Sequence, residues 1–195
     1  MTATDRTLKI VIVGDSFCGK TTLIYAYTQQ TFLDEYEPTV FQNYAASVTI
    51  NKKVYNLNLF DTTGQSEDKL SKLRIISYRN ANVVMLCFSL IDKTSLENCK
   101  LKWIPEIRKH TNAPILLVGL KEDLIPSSPT HQVVDKKLAH RMNEDMECVK
   151  LLTCSALTHR NLKKVFDEAL LLASTGHTTD SKPQMHWASI CCSLF

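Results

Sequence analysis

The run Gly14-Asp15-Ser16-Phe17-Cys18-Gly19-Lys20-Thr21 constrains this chain more than any other stretch. It has the form G-x-x-x-x-G-K-[ST]. An apolar run over 8–13 precedes it and reads as a buried strand. A helical stretch over 21–30 follows it. Strand, loop and helix in that order are the context in which such a run holds a polyphosphate. Glycine lets the backbone approach an anion closely. Successive N–H groups and the helix N-terminus then cradle it. On this reading Gly14, Ser16, Phe17, Cys18, Gly19, Lys20, Thr21 and Thr22 form the phosphate cradle. Lys20 reaches the β- and γ-phosphates, and the Thr21 hydroxyl holds Mg²⁺. A plain glycine-containing turn, the competing reading, leaves the two flanks unexplained.

The chain has 195 residues, which predicts one domain and a tail. Hydrophobic residues make up 44% and charged residues 22%, the balance of a globular chain with a real core. A net charge of +3 without a dense basic patch gives no reason to expect nucleic acid. No apolar run approaches the length of a membrane span. The first residues lack the apolar stretch of a signal peptide and the glycine required for myristoylation. Seven cysteines, an odd count without metal-like spacing, fit a reduced, cytoplasmic protein. Cys87, Cys99, Cys148 and Cys154 read as small buried apolar residues.

Strand and helix patterns alternate along the chain. Runs at 46–50 and 54–60 read as strands joined by a turn at Asn51-Lys52-Lys53, with Tyr55, Leu57 and Leu59 on one face. Continuous apolar runs at 83–88 and 115–118 predict strands covered on both sides, and 149–152 is a weaker strand. Helices are predicted near 95–110, 133–145 and 161–173. In the last, Leu162, Val165, Phe166, Ala169, Leu170 and Ala173 form an amphipathic stripe; they and Trp103 are assigned to the core. The fold class predicted is therefore α/β, a mostly parallel six-stranded sheet with helices on both faces. Ligands in such folds bind at the carboxyl ends of the strands, where Gly14 to Thr21 fall. The domain is expected to span 1–175. Polar, aperiodic residues 176–195 read as a flexible tail.

Three further runs each follow a strand. In Asp61-Thr62-Thr63-Gly64-Gln65, Asp61 can hold Mg²⁺ through water, the Gly64 N–H can meet a γ-phosphate, and Gln65 can position an attacking water. Gln65 and Lys20 are the candidate catalytic residues. In Leu120-Lys121-Glu122-Asp123, the Asp123 carboxylate can accept two N–H bonds from a guanine edge, and the Lys121 stem can lie on the base. In Cys154-Ser155-Ala156-Leu157, a backbone N–H can meet the base carbonyl. Each run alone is an ordinary turn or loop. Their order and their placement after strands make the set specific.

Together these runs resemble the small GTPases of the Ras superfamily, and their Rho/Rac branch in particular. Glu37-Pro38-Thr39-Val40-Phe41-Gln42-Asn43-Tyr44 is similar to a Rho-type switch I. Leu117-Val118-Gly119, Cys154-Ser155-Ala156-Leu157 and Val165-Phe166-Asp167-Glu168-Ala169 also resemble Rac-type sequence. The likeness covers roughly residues 8–173. It implies a P-loop GTPase domain that binds GTP or GDP with Mg²⁺. It implies that Thr39 ligates Mg²⁺ and senses the γ-phosphate, that Phe32 packs beside the base and that Tyr36 covers the phosphates. Effectors would bind switches I and II when GTP orders them. Exchange factors, activating proteins and a dissociation inhibitor are the implied regulators, and the chain is expected to be a monomer. Regulation of actin is what the Rho likeness alone suggests.

Several residues depart from that pattern. Ser16 stands where most Rho and Ras relatives have glycine, and crowds the γ-phosphate, the catalytic glutamine and any arginine finger. Such a finger is worth about 10³–10⁵ in rate. The Rnd subgroup, which the Gly14–Thr21 run resembles, also carries Ser here and is hydrolysis-poor, but this chain keeps Gln65. Thr63 replaces the usual alanine beside the γ-phosphate. Both changes predict slow hydrolysis and a poor response to activating proteins. Leu120 replaces the Asn or Thr that ties the base loop to the P-loop, which lowers the expected nucleotide affinity and leaves guanine selection by Asp123 intact. Switch II is longer than the Rac pattern. The short spacing after Asp123 leaves no room for the Rho insert helix.

Cys192-Ser193-Leu194-Phe195 fits a C-a-a-X box whose final Phe favours geranylgeranylation of Cys192. One lipid anchors marginally, so a second signal is expected. Lys182 is the only basic Lys or Arg residue from Ser174 onward, so a polybasic stretch does not supply it. Cys191 is either a palmitate acceptor or a bystander. Attachment would be at the cytosolic face of a membrane, the plasma membrane being the expected one. Two rival functions remain: a GTP-locked or nucleotide-weak pseudo-GTPase acting only through protein contacts, and a P-loop kinase or ATPase. Ser16, Thr63 and Leu120 favour the first rival, whereas Gln65, Thr39, Thr21 and Lys20 oppose it and keep the switch as the leading reading. Asp123 and the Ser-Ala-Leu run argue against the second.

Overall fold

The structure is a computed structural model that describes residues 7–33, 41–50, 52–65 and 68–175. Strand β1 (Thr7–Gly14) alternates between two cores, as a period of two residues requires. Ile10 and Ile12 belong to one apolar cluster and Val11 and Val13 to the other. A strand buried on both faces must lie inside a sheet, and β1 is paired in parallel on either side with β3 (Lys53–Thr62) and β4 (Val83–Ser89). The six strands run in the order β2-β3-β1-β4-β5-β6. Here β2 is Phe41–Ile50, β5 is Ile115–Leu120 and β6 is Lys150–Thr153. Among the described residues, only the β2–β3 pair is antiparallel.

Helices α1 (Lys20–Gln29) and α6 (Leu162–Thr175) cover one face. Tyr27 of α1 stacks on Phe166 of α6 with ring centroids 3.6 Å apart. The other face is covered by α2 (Asp68–Tyr78), by the helical run from 93 to 110, and by α5 (Lys136–Asp145). Both clusters fill with the continuous apolar runs of β4 and β5, every residue of which is buried.

The predicted α/β architecture is present, with differences at particular elements. The expected helix at 95–110 is three pieces: α3 (Lys93–Asn98), a π turn (Cys99–Trp103) and α4 (Ile104–His110). Pro105 sits at the start of α4 and has no N–H to give. The widened turn is closed by the Ile104 N–H on the Cys99 carbonyl. Helix α5 begins at Lys136 rather than 133, behind an extended Asp135. Strand β6 begins at Lys150, and Val149 is exposed. Helix α2 was not foreseen from sequence. Its inward positions include Arg74 and Ser77 beside Tyr78, so its buried stripe is largely polar. Between β5 and α5 there is a short 3₁₀ helix (Glu122–Ser127) and no further helix, as the short spacing predicts.

Candidate functional site

Four loops converge at the carboxyl edge of the sheet. They follow β1, β3, β5 and β6, and a parallel sheet presents its ligand crevice there. After β1 the backbone turns at Gly14, with φ of 145°, and a β-carbon there would lie 2.1 Å from the Cys87 carbonyl oxygen. Only glycine fits. Phe17 adopts φ of 63°, a left-handed conformation that costs energy for a bulky residue. Helix α1 then starts without a side-chain cap and without an acidic residue in its first turn. The N–H groups and dipole at such a helix start favour an anion. The Lys20 ammonium is buried beside that turn, donating to the carbonyls of Gly14 (3.0 Å) and Asp15 (2.8 Å).

The Thr21 hydroxyl donates to Asp61 Oδ2 at 2.6 Å, joining the loop after β1 to the end of β3. Asp61 is fully buried. A hydroxyl and a carboxylate side by side are the hard oxygen donors that Mg²⁺ takes when phosphates complete its shell. The donor set thus fits the implied metal. Tyr44, on β2, lies near this carboxylate; burial first and the Asp61 charge second push its hydroxyl up to about 12.

Beyond Asp61 the chain runs directly over the P-loop. A β-carbon on Gly64 would lie 2.1 Å from the Ser16 nitrogen and 2.5 Å from the Asp15 carbonyl carbon, so glycine is required by contact. The Gln65 N–H donates to the Thr63 hydroxyl at 3.1 Å. The far side of the crevice is an apolar cavity of about 170 Å³. Gly19, Thr22, Phe32, Leu120, Lys121, Asp123, Leu124, Ala156 and Leu157 line it. The end of the Lys121 stem and the Leu120 methyl each lie 3.7 Å from where a β-carbon on Gly19 would be. Leu120 therefore meets the P-loop by apolar contact. The buried Ser155 hydroxyl accepts from the Thr158 N–H (3.0 Å), and the Ser155 N–H donates to the Arg160 carbonyl (3.0 Å), which shapes the loop carrying Ala156 and Leu157.

The predicted residues of the P-loop, of the Asp61–Gln65 run, of the Lys121–Asp123 run and of the Ser155–Leu157 run thus surround one crevice, with Phe32 on its rim. Tyr36, Thr39, Cys191 and Cys192 lie outside the described residues. The thiols of Cys18, Cys87, Cys99, Cys148 and Cys154 are buried and free, and burial raises their pKa values.

A second layer was not foreseen from sequence. Asp15 accepts from Asn98 Nδ2 (2.7 Å) and from Trp103 Nε1 (2.8 Å). The indole was expected only as core, although a buried Trp N–H needs a partner and points to one. Arg74, 1% exposed, makes a two-pronged pair with Glu106 at 2.7 and 2.8 Å. Burial alone would raise the Glu106 carboxyl, but the hydrogen bonds from Arg74 and Tyr78 outweigh it and hold it below the usual carboxylate range.

A protein-family model for the Ras family matches residues 9–174, and the chain belongs to that family. Members are small GTPases, GTP-binding molecular switches that meet effectors and regulators.

Proposed function

We propose that this chain is a Rho-like guanine-nucleotide switch with slow GTP turnover, signalling to effectors from the cytosolic face of a membrane. The observation that carries slow turnover is the Gln65 N–H held on the Thr63 hydroxyl. Residues 63–65 are thereby closed into a local turn. A Gln side chain can orient water only if its backbone follows the γ-phosphate. Ser16 adds a second obstacle, because Gly64 already abuts the Ser16 nitrogen. Gln65, Lys20, Thr21 and Asp61 keep the parts a GTPase needs, so hydrolysis is slowed, not abolished. Mg²⁺, held by Thr21 and Thr39, would neutralise phosphate charge. Asp123 and Lys121 would hold guanine, with Ala156 offering its N–H.

The Rho-like assignment rests on the switch I run and the Rac-type runs in Leu117–Gly119 and Val165–Ala169. Geranylgeranylation of Cys192 belongs to the same reading. In a single-turnover assay of the GTP-loaded chain with Mg²⁺, Thr63→Ala should hydrolyse about tenfold faster than the unsubstituted chain, because small misplacements at such centres cost about that much or more. Equal rates would contradict the role given to Thr63.

A further inference from the structure

The carbonyls of Thr63, Gly64 and Gln65 are all held by cations from outside the loop. Arg74 Nη1 donates to Thr63 (3.0 Å) and to Gln65 (2.9 Å), and Lys102 Nζ donates to Gly64 (3.4 Å). Both cations also contact the ring of Trp103. The Arg74 guanidinium carbon is 4.8 Å and Lys102 Nζ is 4.1 Å from its centroid. The indole N–H is fixed in turn on Asp15, one residue before Ser16. Lys102 and Trp103 lie in the π turn, so the widened turn sets where both side chains emerge.

A trans peptide points its C=O and the next N–H in opposite directions. No cis peptide occurs among the described residues. Arg74 on the Thr63 carbonyl therefore turns the Gly64 N–H away from the guanidinium. Gly64 itself lies against Asp15 and Ser16. Lys102 on the Gly64 carbonyl likewise turns the Gln65 N–H away, and that N–H meets the Thr63 hydroxyl.

We propose that Arg74 and Lys102, seated on Trp103, are positioning residues that fix the two peptides flanking Gly64, Arg74 aiming the Gly64 N–H at the terminal phosphate and Lys102 holding the peptide that follows, and so set how strongly the site prefers the triphosphate to the diphosphate. This rests on the reading of the crevice as a GTP site. The anchor is built into the fold on one side and into the P-loop on the other, so the preference does not depend on the loop alone. Glu106 holds Arg74 in place through both carboxylate oxygens.

The test uses the full chain and follows release of fluorescent GDP and of a fluorescent, non-hydrolysable GTP analogue. Lys102 is partly exposed, so Lys102→Met is expected to keep the fold. It should speed release of the triphosphate analogue about tenfold, the worth of one hydrogen bond to a charged oxygen, with GDP release nearly unchanged. Lys102→Arg should restore the ratio. Arg74→Gln should shift the ratio the same way, with a melting curve to confirm a folded chain. A merely structural role moves both nucleotides equally, and that result, or no change in the ratio, would overturn the proposal. Failure of the unsubstituted chain to retain either nucleotide would overturn the GTP reading as well. Retention of both with an unmoved ratio would overturn only the positioning role.

Discussion

Leu120 is fully apolar at a position where the base loop touches the P-loop, 3.7 Å from the point a Gly19 β-carbon would occupy. A leucine side chain has no donor or acceptor, so the contact there is dispersion alone. Leu120→Asn is expected to slow guanine-nucleotide release about tenfold, an effect on the order of one net hydrogen bond. Unchanged release kinetics would show that the apolar contact is as good a tie. Glu106 carries a pH prediction. Its folded-state pKa is lowered, so its contribution to stability is present above the unfolded value and is lost as pH falls through the folded one. Denaturation midpoints taken down through that acidic window should fall more steeply for the unsubstituted chain than for Glu106→Gln.

At the scale of elements, the helical run from 93 to 110 joins the P-loop to the loop after β3. Trp103→Phe keeps an aromatic ring in the core and removes the N–H from Asp15. The change should cost about 1.5–3 kcal/mol, because it removes one of the two donors to the Asp15 carboxylate and leaves Asn98 as the other. Chemical denaturation measures it. Phe166→Ala on α6, which removes the stack on Tyr27, should cost about 3–5 kcal/mol by the same method. Elements with apolar periodicity were legible in the sequence: β1, β4 and β5 as unbroken apolar runs, and α6 by its stripe. Helix α2 was not, since Arg74 and Ser77 face inward and a hydrophobic pattern cannot report buried polar groups satisfied by distant partners. The π turn was hidden for a related reason. Pro105 announces a break, but a widened turn keeps the run helical where a kink would end it.

At the scale of the whole molecule, the crevice was legible because each of its four runs follows a strand and a parallel sheet gathers strand ends along one edge. Motif spacing therefore carried Lys20, Thr21, Asp61, Lys121 and Asp123 to one place. The layer behind it, from Asp15 through Trp103 to Arg74 and Lys102, joins residues 88 positions apart in the case of Asp15 and Trp103, and no local pattern encodes such a pairing. The same architecture gathers the apolar cavity, the Thr21–Asp61 pair and the loop over the P-loop along one edge of the sheet. The most direct test is the nucleotide released on denaturing the chain after it has been loaded with GTP, Mg²⁺ and an excess of ATP, then held through several of the turnover times usual for small GTPases. The account predicts guanine nucleotide alone, most of it still GTP. Adenine nucleotide, no nucleotide, or complete conversion to GDP would contradict it.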